Sequence, residues 1–149
     1  MRVAIGCDHA GYELKNELVK YLQHQKIEVH DMGTFSKESV DYPDYAMQVC
    51  QTVMRDQSDF GILVCYTGIG MSMAANKFKG IRAALIHSVE NAKLTREHNN
   101  ANVLCLGAKD TSFNVAKEIV DTFLNTKFTE GRHLQRVEKV MKIEKNEKK

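Results

Sequence analysis

Cys65 ends a short apolar run, FGILVC, and is followed at once by Tyr66-Thr67-Gly68-Ile69-Gly70. A helical pattern comes next, with Met71, Ala74, Ala75 and Phe78 on one side. A run that short and rich in Ile, Leu and Val reads as a strand buried on both faces of a parallel sheet. A strand, a Gly-rich turn and a helix N-terminus in that order make an anion site. The glycines let the backbone approach a ligand, and the first helical N–H groups lack partners within the helix. A thiol at the mouth of such a site suits proton transfer beside a carbonyl. Removing a proton from the carbon next to C=O leaves an enediolate oxyanion, and each preorganised N–H donor is worth about 3–4 kcal/mol to it. A positioned base adds on the order of 10²–10⁴ in rate. A free thiol titrates near ~8.5 and lower beside a helix N-terminus, so a thiolate at Cys65 is the expected base. The plainer reading, Cys65 as merely the last core residue of its strand, stays open on position alone.

Other chemistries fail on single residues. A dinucleotide fingerprint needs a third glycine where Ser72 and Met73 stand, and no P-loop sequence is present. A phosphatase of the low-molecular-weight tyrosine type needs Arg where Met71 stands, and a phosphoacceptor receiver needs Asp at Cys65.

The elements that must hold the site alternate along the chain. Strands are expected over Arg2–Cys7, Ile27–Met32 (amphipathic, so near a sheet edge), Phe60–Cys65, Ile81–His87 and Asn102–Gly107. Helices are expected over Ala10–Gln23, from Pro43, after Gly70, over Val89–His98 with Ser88 as cap, along the Val115–Leu124 stripe, and from about His133 to Glu144. Five βα units with short turns predict an α/β fold: an open, five-stranded parallel sheet with helices on both faces. Ligands bind at the carboxyl ends of such strands. That singles out Asp8-His9, Cys65 to Gly70, His87-Ser88 and Lys109-Asp110.

With 149 residues, the chain reads as a single domain, 1–149, long enough to bury a core. A net charge of +2 gives no argument for nucleic acid or a membrane surface as partner. The basic run Lys145 to Lys149 reads as a solvated tail, frayed from about residue 143. No apolar stretch has transmembrane length, and no signal-peptide pattern precedes the first strand. Cys7, Cys50, Cys65 and Cys105 form no C-x-x-C pair, so no zinc or thioredoxin-like signature is present and a reducing cytoplasm is the expected setting.

Several separate motifs then converge: IGCDHAGYELK, DYP at Asp41 to Pro43, CYTGIGMSMAANK, REHNNAN at Arg96 to Asn102, and GRHLQRV at Gly131 to Val137. Together, from residue 2 to about 145, they resemble the type B ribose-5-phosphate isomerases of the ribose/galactose isomerase family. The resemblance implies a three-layer α/β/α sandwich with a Rossmann-like sheet. It also implies a homodimer or tetramer with active sites between subunits, and interconversion of ribose 5-phosphate and ribulose 5-phosphate without metal or cofactor. By the same resemblance, Cys65 moves the proton, Thr67 sits beside it, and Tyr66, Gly68, Ile69 and Gly70 form the anion hole. Asp8 and His9 hold sugar oxygens. His98, with Asn99 next to it, opens the furanose ring from the partner subunit. Arg132, Arg136 and Lys109 meet the phosphate, and Asp41 and Tyr42 line the sugar pocket.

From spacing alone, His98 reads equally as a histidine at a helix C-terminus, with Asn99 or Asn100 as the left-handed cap. The residues depart from the family twice. Tyr66 stands where glycine is usual and could narrow the pocket. Lys109 stands where many members have arginine, keeping the charge but losing the bidentate fork. An isomerase of a six-carbon aldose phosphate (allose or galactose 6-phosphate) and a non-catalytic sugar-phosphate sensor therefore stay open as alternatives. The galactose-6-phosphate enzymes generally lack the Cys65 and Thr67 pair, which favours the pentose.

Overall fold

A computed structural model describes residues 1–147. Among these, five strands alternate with six α-helices: β1 (Arg2–Cys7), α1 (Tyr12–His24), β2 (Glu28–Asp31), α2 (Tyr42–Met54), β3 (Phe60–Cys65), α3 (Ile69–Ala75), β4 (Ala83–Leu85), α4 (Val89–Asn99), β5 (Val103–Gly107), α5 (Phe113–Asn125) and α6 (Arg132–Glu147). The strands pair in parallel in the order β2-β1-β3-β5-β4, which makes the predicted α/β/α sandwich.

The central strands are apolar on both faces, and alternate residues feed two cores. Val3, Ile5, Ile62, Val64, Leu104 and Leu106 pack against Leu14, Leu18 and Leu22 of α1 and Ile119, Val120 and Phe123 of α5. Ala4, Leu63, Cys65, Val103 and Cys105 meet Val49 and Cys50 of α2 and Met71 and Ala75 of α3. Each large apolar side chain so buried contributes about 1.5–3 kcal/mol.

The edges depart from expectation. β2 is an edge strand, as its amphipathic pattern predicted, but covers only four residues. β4 shrinks from the expected Ile81–His87 to three half-buried residues because side chains take over its hydrogen bonding. The Asn76 amide donates to the Ala83 carbonyl and accepts its N–H, both at 2.9 Å. Asn102 likewise accepts the Arg82 N–H at 2.8 Å and donates to the Gly80 carbonyl at 2.9 Å. At the start of the chain, the predicted helix from Ala10 begins instead as a single 3-10 turn over His9–Gly11, with α1 following.

α6 buries none of its residues and leaves Val140 and Ile143 56% and 64% exposed. The Glu144 carboxylate tethers it by accepting the Gly80 N–H through both oxygens, at 3.1 and 3.0 Å. The helix continues to Glu147, past the expected end at Glu144, and residues 148 and 149 of the expected tail lie outside the described residues. No helix among the described residues is long and apolar enough to cross a membrane.

The 3-10 turn leading into α1 crosses β3 at Gly11, where an added Cβ would stand 2.5 Å from the Val64 carbonyl oxygen. Gly11→Ala is therefore expected to cost about 1–3 kcal/mol, read as a lower urea midpoint. An unchanged midpoint would refute the close seating of α1 on β3.

Candidate active site

Register places the first group of residues. Cys7 pairs with Val64 and Cys65 with Gly107, so the chain leaves β1, β3 and β5 side by side at one edge of the sheet. Asp8 and His9 thus emerge beside the Cys65 turn, and the Asp8 N–H donates to the Val64 carbonyl at 3.2 Å. The buried Asp8 carboxylate accepts the Ala10 and Gly11 N–H groups at 3.0 and 3.1 Å, capping the 3-10 turn. His9 accepts the Val40 N–H on Nδ1 at 3.2 Å, which leaves the proton of a neutral ring on Nε2.

The turn after β3 is wound around the thiol. The Gly68 N–H donates to the Cys65 sulfur at 3.1 Å, and the Ile69 N–H donates to Thr67 Oγ1 at 3.2 Å. Gly68 adopts a left-handed φ of 79°, open to glycine at no steric cost. Gly107 gives the turn room from below, since a Cβ there would fall 2.5 Å from the Thr67 carbonyl oxygen. On the other side, a Cβ at Gly70 would meet the Tyr42 ring at 2.6 Å, so Tyr42 at the start of α2 lies against the turn. Asp41 caps α2 through its backbone, accepting the Asp44 N–H, with no side-chain capping bond.

Lys109 joins this group: its N–H donates to the Tyr66 carbonyl at 2.8 Å, and its ammonium lies 5.9 Å from the Tyr66 ring centre. Tyr66 follows Cys65 and so turns to the opposite face of the sheet. It lines a separate pocket of about 280 Å³ between α1 and α5, with Glu13 and Thr111.

The thiols differ in surroundings. Burial pushes Cys7 up to about 11, against the pull of nearby Lys15, and Cys50 up to about 12. Burial also raises Cys105 well above the ordinary thiol range, with Cys50 and Cys65 adding to it. Cys65 is the one cysteine among the described residues whose sulfur accepts a backbone N–H.

The second group of predicted residues does not join the first within one chain. α4 returns the chain to the amino edge of the sheet, where Ala101 and Asn102 lead into β5, and His98 and Asn99 sit in its last turn. Asn100 takes the left-handed cap position, with φ 49°. The loop before α6 is tied back to α4 by Thr129, whose N–H and hydroxyl both donate to the Glu97 carbonyl. That stacks His133 on His98, with ring centres 4.2 Å apart and planes 14° apart. Desolvation in the stack, with His98, Arg132 and Arg136 nearby, lowers the His133 imidazole below its ordinary range. The pair opens on a groove of about 840 Å³ lined also by Asn99, Arg136, Met141 and Asn76.

Two contributors escaped sequence reading. His133 lies inside GRHLQRV but carries no spacing relation to His98. Arg96 is buried and donates to the Asn100 side chain at 2.9 Å and to the Ala101 and Thr126 carbonyls at 2.6 and 3.2 Å, shaping the turn after His98. His87 is exposed, while Ser88 caps α4 by accepting the Asn91 N–H at 3.1 Å. Among the described residues, no group of three or more His, Cys, Asp or Glu side chains is placed to hold a metal ion.

The sequence model of the ribose/galactose isomerase family matches residues 3–140. The chain is 48% identical over 143 residues to ribose-5-phosphate isomerase B of Escherichia coli (strain K12), covering 96% of each protein. Ribose-5-phosphate isomerase B of Clostridium thermocellum superposes with a TM-score of 0.97 at 46% identity, covering 98% of this chain and 99% of the other. The enzyme of Mycoplasma genitalium, solved with ribulose-5-phosphate bound, gives 0.93 at 41% identity over 97% and 96%.

The thiol environments predict selective alkylation. Iodoacetamide on the folded protein is expected to modify Cys65 first, at one equivalent per chain by mass spectrometry. Earlier labelling of Cys7, Cys50 or Cys105 would overturn the contrast drawn between them.

Proposed function

The chain belongs to the ribose/galactose isomerase family, and on that footing we propose that it interconverts ribose 5-phosphate and ribulose 5-phosphate through an enediolate. The observation that carries this reading is the Cys65 sulfur held by the Gly68 N–H inside a turn of close-packed backbone. In the forward direction, the Cys65 thiolate takes the proton from C2 of the open-chain aldose and returns it to C1, while the O2 hydroxyl proton passes to O1. The N–H groups from Tyr66 to Gly70 face the oxygens that become negative meanwhile, with the Thr67 hydroxyl beside them. Asp8 and His9 hold sugar hydroxyls, and Asp41 and Tyr42 close the pocket wall. Arg132, Arg136 and Lys109 neutralise the phosphate, the lysine as a point charge without a fork. His98 gives the ring oxygen its proton when the furanose opens, with Asn99 alongside. No cofactor and no metal takes part in this reading.

The reading needs a second copy of the chain, because Cys65 and His98 stand at opposite edges of one sheet. α3 has seven residues, starting at the thiol turn and leading to Asn76 and Lys77 in the histidine groove. A two-fold partner laying its own α3 antiparallel across this one sets each groove against the other chain's thiol. Ile69 and Met73 on α3, 51% and 66% exposed, supply apolar surface for that contact, as does the open stripe of α6. The assembly is a homodimer, or a tetramer of such dimers, and four unpaired cysteines suit a cytoplasmic setting. That Tyr66 lines a separate pocket between α1 and α5 supports the pentose reading over the six-carbon alternative.

Purified protein is expected to turn over ribose 5-phosphate with excess chelator present, and Cys65→Ala to abolish turnover with the fold intact. No turnover by the folded wild type, with sugar phosphate still bound, would favour a sensor. Cys65→Ala and His98→Ala chains refolded together are expected to regain about a quarter of the wild-type rate, since half of the dimers are mixed and half of their sites carry neither change. No regain in demonstrably mixed dimers would place both residues in one chain's site.

A further inference from the structure

We propose that Lys15 is a positioning residue, acting through Asp31 and the 33–40 segment on the tautomer of His9. Its kinetic consequence rests on the isomerase reading; the tautomer does not.

Lys15 belongs to the inward face of α1 and is wholly buried, between Leu14 and Leu18 of the core. Burying an ammonium costs several kcal/mol unless it is well partnered, so core packing alone gives no reason for lysine here. Its Nζ lies 3.0 Å from both Asp31 oxygens, with the Tyr12 and Phe35 rings at 5.5 and 5.0 Å. Asp31 is the last residue of β2, and its Oδ1 also accepts the Gly33 N–H at 3.0 Å. From there the backbone stays laced to β1: the Cys7 N–H donates to the Gly33 carbonyl at 2.7 Å, and the Thr34 N–H donates to the Cys7 carbonyl at 2.9 Å. The segment then leaves the body and returns at Val40, whose N–H meets His9 Nδ1. Between those ends, its side-chain ties to α1 are the Phe35 ring beside the Lys15 ammonium and the Lys37–Glu13 pair, which is exposed and therefore weak. Lys15, through Asp31 and together with the backbone bonds to Cys7, thus fixes where the segment starts, and His9 receives the donor at its end. Without the anchor, the Val40 N–H is free to move off Nδ1, and the ring loses the bond that keeps its proton on Nε2.

The test compares wild type, Lys15→Met, Asp31→Asn and Val40→Pro in two readouts. One is the 15N spectrum of labelled histidine at alkaline pH, where imidazoles are neutral. The other is kcat and KM on ribose 5-phosphate, with unfolding midpoints recorded separately. Wild type is expected to hold the His9 proton on Nε2. Val40→Pro, which deletes the donor and leaves the Lys15 pair intact, is expected to mix the tautomers and lower kcat about tenfold. Lys15→Met is expected to do the same. If Lys15→Met does not fold, Asp31→Asn decides by the same readouts, since it keeps the shape and the Gly33 acceptor. Folded Lys15 and Asp31 variants with the wild-type tautomer and wild-type kcat overturn the proposal, even if their midpoints fall. Absence of turnover in wild type would sink the isomerase reading instead, and the tautomer would still judge the link from Lys15 to His9.

Discussion

The site depends on how closely backbone can approach backbone where β3 ends. Repulsion at contact distance is steep and protein interiors have no slack, so whichever segments touch there fix one another. The Thr67 carbonyl rests where a side chain on Gly107 would be, and Gly11 sits against the Val64 carbonyl one residue before Cys65. The turn between is clamped by β5 on one side and by the entry to α1 on the other. Preorganisation of its N–H groups is thus a packing property of the sheet, acquired before any ligand arrives.

The parallel sheet that gathers Asp8, His9, Cys65 and Lys109 at one edge also sends His98 to the other, because each helix must carry the chain back before the next strand. Arg96 makes the far turn durable. It is buried over the Phe60 and Phe123 rings, 4.9 and 5.7 Å from their centres, and spends its donors on carbonyls and on Asn100. Desolvation lowers its guanidinium from the usual value, with Arg82 adding to the effect. A cation held by carbonyls and aromatic faces shapes the turn without a carboxylate partner.

The centre of the fold was legible because β1, β3 and β5 are apolar on both faces, and the thiol turn because its signal is local, six residues in a row. The edges were less so. The extent of β4 is decided by the amides of Asn76 and Asn102, whose partners no periodicity reveals. The stacking of His133 on His98 and the Val40 donor to His9 are likewise contacts across some thirty residues, set by tertiary structure. Lys15 was harder still, since a lysine inside an apolar helix face looks like an interruption of the core pattern until its partner on β2 is seen.

The distribution of sulfur also sets how this protein fails. Three thiols are sealed in the cores and held protonated by burial, while the fourth sits 5% exposed at the rim with an N–H aimed at it. Oxidants attack thiolate that they can reach. Chemical ageing therefore falls on the turn after β3 before the scaffold, and a damaged chain persists in its folded shape; on the proposed reading, it no longer turns over. Chains damaged in that way escape quality control tuned to misfolding.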